Sequence, residues 1–177
     1  LSASEEEAGF GRTFSSLSEG PAAVEGYVDL GDMGILGRGQ ITVDRATSFE
    51  DDLLDVGTRA ALDSLRANVV DPETTLLVTS TPTPSFGARL AARLHLNHFE
   101  RDLSELFGRD PHTASLPVAY HLLQQEGALE RYRHILFVGA GAGPSAAATM
   151  YRVPSTTATT AGAGSSEGAV VSEKASV

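Results

Sequence analysis

The sequence predicts an α/β fold, and three observations carry that expectation. Two continuous apolar runs, Thr74-Thr-Leu-Leu-Val-Thr79 and Tyr132-Arg-His-Ile-Leu-Phe-Val138, have the composition of strands buried on both faces. A broadly amphipathic helix pattern covers about residues 48–67, just ahead of the first run. From residue 47 on, the periodicities alternate: helix, strand, helix, short strand, helix, strand.

The bulk numbers bound what such a fold can do. The 177 residues, 41% hydrophobic and 20% charged, suffice for one globular domain of ordinary size. A formal net charge of −10, with no run of Lys and Arg, argues against a nucleic-acid partner. No stretch approaches the roughly 18 apolar residues of a membrane span, and the Glu-rich start lacks the basic and apolar regions of a signal peptide. A cytoplasmic protein that meets no membrane is therefore expected. The absence of Cys rules out a disulfide framework, a thiolate metal site and a cysteine nucleophile supplied by these residues.

Residues 1–24 are too polar and rich in small residues to offset the entropy of ordering, so a loose N-terminal segment is expected there. The folded domain is placed at 25–153. Between residues 22 and 43, short apolar pieces separated by glycines suit strands and turns. Asp29, Asp32 and Asp44 match no oxygen-ligand loop and read as solvated turn carboxylates, so no metal is assigned. Thr47-Ser-Phe-Glu50 has the form of a capping box, and Phe49, Leu53, Leu54, Val56, Ala60, Ala61 and Leu65 make the apolar face of the helix that follows. Asp71-Pro72 interrupts the chain before the first buried run.

Ser80-Thr-Pro-Thr-Pro-Ser85 sits where that strand ends, the edge at which open α/β sheets collect ligands, although Ser and Thr are also ordinary turn residues. Pro84 can open a second helix with Phe86, Leu90, Ala91 and Leu94 on one face, and a short extended piece follows near residues 97–102. Next comes Arg109-Asp-Pro-His-Thr-Ala-Ser-Leu-Pro-Val-Ala-Tyr-His-Leu-Leu123, a polar loop running into the clearest amphipathic helix of the second half. Pro111 suits that helix's first turn and Asp110 its cap. Gly139, Gly141 and Gly143 follow the second buried run as in a dinucleotide loop, but no full helix fits before Pro154 and no acid stands where a ribose would need one. The segment after them reads better as a returning antiparallel strand, and 154–177 as a disordered tail.

Residues 47–153 resemble the carboxyl-terminal half of the β-ketoacyl-acyl-carrier-protein synthase III group of the thiolase superfamily. The resemblance is carried by Ser80-Thr-Pro-Thr, Arg93-Leu-His-Leu96, Arg109-Asp-Pro-His-Thr-Ala-Ser-Leu-Pro117 and Phe137-Val-Gly-Ala-Gly-Ala-Gly143, and lies in order and spacing more than in identity. It implies half of a layered α-β-α-β-α fold, with a mixed sheet and a buried central helix. It also places the family's active-site histidine at Ser80 and its asparagine at Asp110.

The resemblance further implies acyl-carrier-protein or coenzyme A thioesters as substrates, no bound cofactor, and a role in fatty-acid or polyketide biosynthesis. The chain departs from the family at the chemistry, having no cysteine, a serine for the histidine and a carboxylate where an enolate would form. Malonyl condensation is therefore disfavoured. A carboxylate at position 110 suits plain acyl transfer, accepting a proton from an alcohol or amine, with His112 as a possible base. A lone histidine in a helix's first turn is, however, more commonly a surface residue. Three readings follow: an acyltransferase with a degenerate site; a non-catalytic, ketosynthase-like subunit paired as a homodimer or with a cysteine-bearing chain; and, from another class, a nucleotide-binding α/β domain.

Overall fold

The computed structural model describes residues 8–19, 24–28, 41–99, 112–141 and 143–154. Its strands are β1 (Gly9–Leu17), β2 (Val24–Val28), β3 (Ile41–Arg45), β4 (Thr75–Thr79), β5 (His98–Phe99), β6 (His134–Gly141) and β7 (Ser145–Arg152). Its helices are α1 (Phe49–Arg66), α2 (Phe86–Leu94) and α3 (Ser115–Gln125). Five strands form one sheet in the order β1-β7-β6-β4-β5, while β2 and β3 make a separate antiparallel pair. The large sheet is mixed: β4 runs parallel to β5 and β6, whereas β7 is antiparallel to both β6 and β1.

The two apolar runs form the middle of this sheet, and alternate side chains on them feed two cores. Leu77, Leu136 and Val138, with Ala146, Ala148 and Met150 of β7, pack against α1 and α2. Leu76, Val78, Ile135 and Phe137 face the other way, onto Ala119 and Leu123 of α3. Helices thus lie on both sides of β4, all five residues of which are buried, and this is why its sequence shows no polar alternation.

Helix α1 buries Phe49, Leu53, Leu54, Val56, Ala60 and Ala61 as the apolar periodicity requires. Its start differs from the expected capping box. Ser48 is the N-cap and its side chain makes no capping bond; the first turn is closed by backbone bonds from Phe49 to Ala46 and from Asp52 to Ser48. The acids of that turn look outward instead, where Asp51 and Glu50 meet Arg89, and Asp55 meets Arg93. These exposed pairs link α1 to α2 but each contributes little. Closer contact comes from Gly57, where a Cβ would stand 3.0 Å from the Phe86 ring. A larger residue at 57 would require the ring to shift by a few tenths of an ångström.

Two further boundaries depart from expectation. The loose start expected through residue 24 contains β1, which lies along the outer edge of β7 from Gly9↔Arg152 to Leu17↔Ser145. Phe10 stacks there on Tyr151 with ring centroids 4.9 Å apart, so pairing to an existing sheet edge overrides a weak local propensity. The helix expected to open at Pro111 begins as a short 3-10 turn over His112–Ala114 and becomes α-helical at Ser115. Asp110, Pro111, Asp29, Asp32 and the tail from 155 lie outside the described residues.

At the other end of β6 the glycines make a hairpin. The ladder closes at Gly141↔Ser145, and Gly143 takes φ +70°, a conformation that favours glycine. No helix follows β6, so the nucleotide-binding reading loses the helix N-terminus it needs.

The start of α1 yields a stability prediction. Thr47→Ala should change unfolding free energy by less than about 0.5 kcal/mol, because no capping bond is lost. Leu53→Ala, at a fully buried position, should cost about 2–5 kcal/mol. Urea unfolding of the two variants checks both, and a Thr47→Ala loss near 1 kcal/mol or more would restore the capping box.

Candidate functional site

The carboxyl ends of β4 and β6 lie side by side, with Thr79 opposite Val138. Ser80, the next residue, continues the ladder by donating its N–H to the Val138 carbonyl at 3.0 Å. Its hydroxyl then bridges to β6, accepting from the Ala140 N–H at 2.8 Å and donating to the Ala140 carbonyl at 3.1 Å. Both backbone groups of Ala140 are thereby satisfied by one side chain, and the two strand ends are tied together.

An open cleft of about 890 Å³ adjoins this tie. Ser80 and Pro82 line it from the loop after β4, and Thr113, Ser115 and Leu116 from the start of α3. Gly139, Ala140 and Gly141 of β6 and Ala146 and Ala147 of β7 contribute small side chains. The smallness keeps the volume open: a Cβ at Gly139 would already stand 3.6 Å from Leu116 Cδ1, and one at Gly141 would meet nothing within 4 Å. The cleft lies where the loop into α2 and the turn into α3 leave opposite faces of the sheet, the position at which α/β folds gather ligands.

Its electrostatics are lopsided. Among the described residues lining the cleft, Arg45 is the one charged side chain, and none is a carboxylate or an imidazole. The guanidinium of Arg45 sits over the Phe49 ring, 5.3 Å from its centroid. The Ser80 hydroxyl, committed to Ala140 in both directions, acts on the shape of the cleft rather than as a free nucleophile.

Of the three candidates read from the sequence, then, Ser80 lines the cleft and is held in a bridge. His112 opens the 3-10 turn one residue before the cleft-lining Thr113, and its side chain, like the whole of Asp110, is outside the described residues. Arg45, the last residue of β3, is not among the sequence candidates, and Phe49 enters only as part of the apolar face of α1. No local signal marks Arg45, because its contact with Phe49 and its place at the cleft exist only in the folded chain.

The Ser80 bridge can be tested directly. Ser80→Ala leaves the Ala140 N–H and carbonyl without their partner, and should cost about 1–3 kcal/mol while accelerating hydrogen exchange at the Ala140 amide. Wild-type stability together with unchanged exchange would mean the bridge does not hold the strand ends.

No protein-family profile matches the sequence, and no curated protein matches it either. Solved structures do match by fold. The β-ketoacyl-[acyl carrier protein] synthase III of Thermus thermophilus superposes with a TM-score of 0.63 at 20% identity, over 85% of this chain and 48% of that one. The 3-oxoacyl-[acyl-carrier-protein] synthase III of Aquifex aeolicus VF5 gives 0.50 at 20% identity, over 85% and 46%. A further 3-oxoacyl-(acyl-carrier-protein) synthase III gives 0.56 at 13% identity, over 86% and 50%. The chain thus spans about half the length of the structures it matches. At these identities the likeness is one of architecture, and this chain has the thiolase-like α/β fold of the ketoacyl synthase III structures.

Proposed function

We propose that the chain forms the acyl-handling side of an acyltransferase of ketoacyl synthase III type, acting in fatty-acid or polyketide biosynthesis, with a degenerate active site. The observation that carries this reading is the convergence of two loops on one cleft: Ser80 after β4 and the turn into α3 that follows Asp110 and His112. These are the two places at which the sequence resemblance puts the family's histidine and asparagine. The fold likeness over about half of each synthase supports reading the chain as one half of such a fold, and the sequence resemblance is what assigns it to the carboxyl-terminal half.

The substrates in this reading are thioesters of acyl carrier protein or coenzyme A, and the chemistry needs no bound cofactor. An acceptor alcohol or amine attacks the thioester carbonyl, the carbon–sulfur bond breaks, and the thiolate leaves. Asp110 takes the acceptor's proton or orients His112 to take it. No cysteine exists among the 177 residues, so a cysteinyl acyl intermediate would need a thiol supplied from elsewhere.

A second reading has the chain as a non-catalytic subunit that pairs with itself or with a cysteine-bearing thiolase-like chain. Its support is the incompletely covered edge on the α3 side of the sheet, where Phe10, 68% exposed, packs against the half-buried Tyr151 and the buried Phe137.

The chain alone should release no carbon dioxide from malonyl carriers and form no ketoacyl product; such product from the purified protein would overturn the degenerate-site reading. In an assembled complex that transfers acyl groups, Asp110→Asn should lower the rate by about a hundredfold, since a positioned base contributes that much or more. Its stability should stay within about 0.5 kcal/mol, because Asn caps as well as Asp. Transfer at the wild-type rate would leave Asp110 as a helix cap and favour the non-catalytic subunit.

A further inference from the structure

We infer that the cleft binds an amphiphile bearing one anionic group, whose carboxylate or phosphate oxygens are held by Arg45 while its apolar chain lies against Phe49, Leu116 and the small residues of β6 and β7. Charge gives the first argument. The protein is acidic, with 23 Asp and Glu against 13 Lys and Arg, yet the charged side chain its described cleft presents is a cation. A site that had merely inherited the average surface would more often carry a carboxylate.

The state of that cation gives the second argument. Three arginines of α1 and α2 are ion-paired, Arg66 with Asp63, Arg89 with Glu50 and Asp51, and Arg93 with Asp55, while Arg59 of α1 donates to the Leu17 carbonyl at 3.3 Å. Arg45 has no carboxylate within ion-pair distance among the described residues. Its described contact is with the Phe49 ring, which is itself 5% exposed and lines the same cleft. Stacking on an aromatic face holds a guanidinium while leaving its in-plane N–H donors free, the geometry that a carboxylate or phosphate accepts bidentately.

The remaining lining supplies the rest of the specificity. Leu17, Phe49, Pro82, Leu116, Ala146 and Ala147 offer apolar surface, and no second charge competes for the anion among the described lining residues. An alkyl chain with a charged end satisfies both parts at once. This inference rests on reading the cleft as an acyl site, and it adds to that reading a charge requirement and the residue that enforces it. The anion can come from a carboxylate on the acyl group or acceptor, or from the phosphate of a carrier arm, since both present oxygens of the same kind to Arg45.

Calorimetric titration of the full chain with dodecanoate and dodecyl phosphate below their critical micelle concentrations, and with dodecanol below its solubility limit, tests the inference without needing catalysis. The anionic probes should bind at least about tenfold more tightly than the alcohol, the size of one charge-assisted hydrogen-bonding contact. Arg45→Ala should remove that advantage and leave dodecanol binding unchanged, with Arg45→Lys recovering part of it. Preference for dodecanoate over dodecyl phosphate would support a carboxylate source, and the reverse a phosphate source. Dodecanol binding as tightly as dodecanoate, or wild-type dodecanoate affinity in Arg45→Ala, would overturn the role of Arg45 and leave the acyl site standing. Binding of none of the three would overturn the acyl site and the anchor together. Because Arg45 is solvent-exposed, the variants should fold, and circular dichroism melts confirm it.

Discussion

Pairing of β4 with β6 is the constraint on which the remaining structure depends. Both strands must be buried on both faces, so helices have to be found for each side of the sheet, and α1 with α2 on one face and α3 on the other meet that need. Parallel neighbours cannot be joined by a tight turn, so the connection from β4 to β6 has to leave the sheet and return. That requirement puts the loop after β4 and the turn into α3 at the same edge, and the cleft is the space between them. The candidate site is in this sense a consequence of how two apolar strands are covered.

The strand ends show how the edge is kept in order. Ladder bonds normally stop where strands diverge, leaving backbone groups to find other partners. Ser80 supplies those partners for Ala140, and the bridge fixes the separation of the strand ends at the mouth of the cleft. A histidine at this position, as the family resemblance would have it, could stand free to act on a substrate. The serine is drawn into the backbone instead. The difference replaces a free side chain at this strand end with a tie between the two strands.

The two faces of the sheet are not equally closed. The α1–α2 side has a continuous core from Phe49 to Met150. On the α3 side the helix covers β4 and β6, while Phe10 and Leu17 of β1 remain largely exposed. Tyr120 and Tyr151 mark the border of the covered region, where their hydrogen bond, together with burial, raises the Tyr120 phenol above its ordinary pKa. The cleft draws on both faces: Phe49 and Ala146 belong to the α1–α2 core, and Leu116 packs on the α3 side.

The sequence by itself determined the α/β class, the order of elements from residue 47, the apolar faces of α1 and α2 and the antiparallel return after the glycines. These follow from short-range rules: periodicity selects helix or strand, and an apolar run without alternation can be stable only between two layers. Tertiary structure alone decided the rest. Glycines and serines at residues 9–17 carry weak strand propensity, and only the unpaired edge of β7 makes them a strand. The capping box at Thr47 was a local possibility that backbone closure of the first turn displaced. Ser80 was legible as a residue at a strand's carboxyl end, but its partner is 60 positions away, and a hydrogen bond across that distance has no signature in the chain. Arg45 was illegible for the same reason: a surface arginine and a cleft arginine look alike until folding brings Leu116 and Ala147 to the cleft that it also lines.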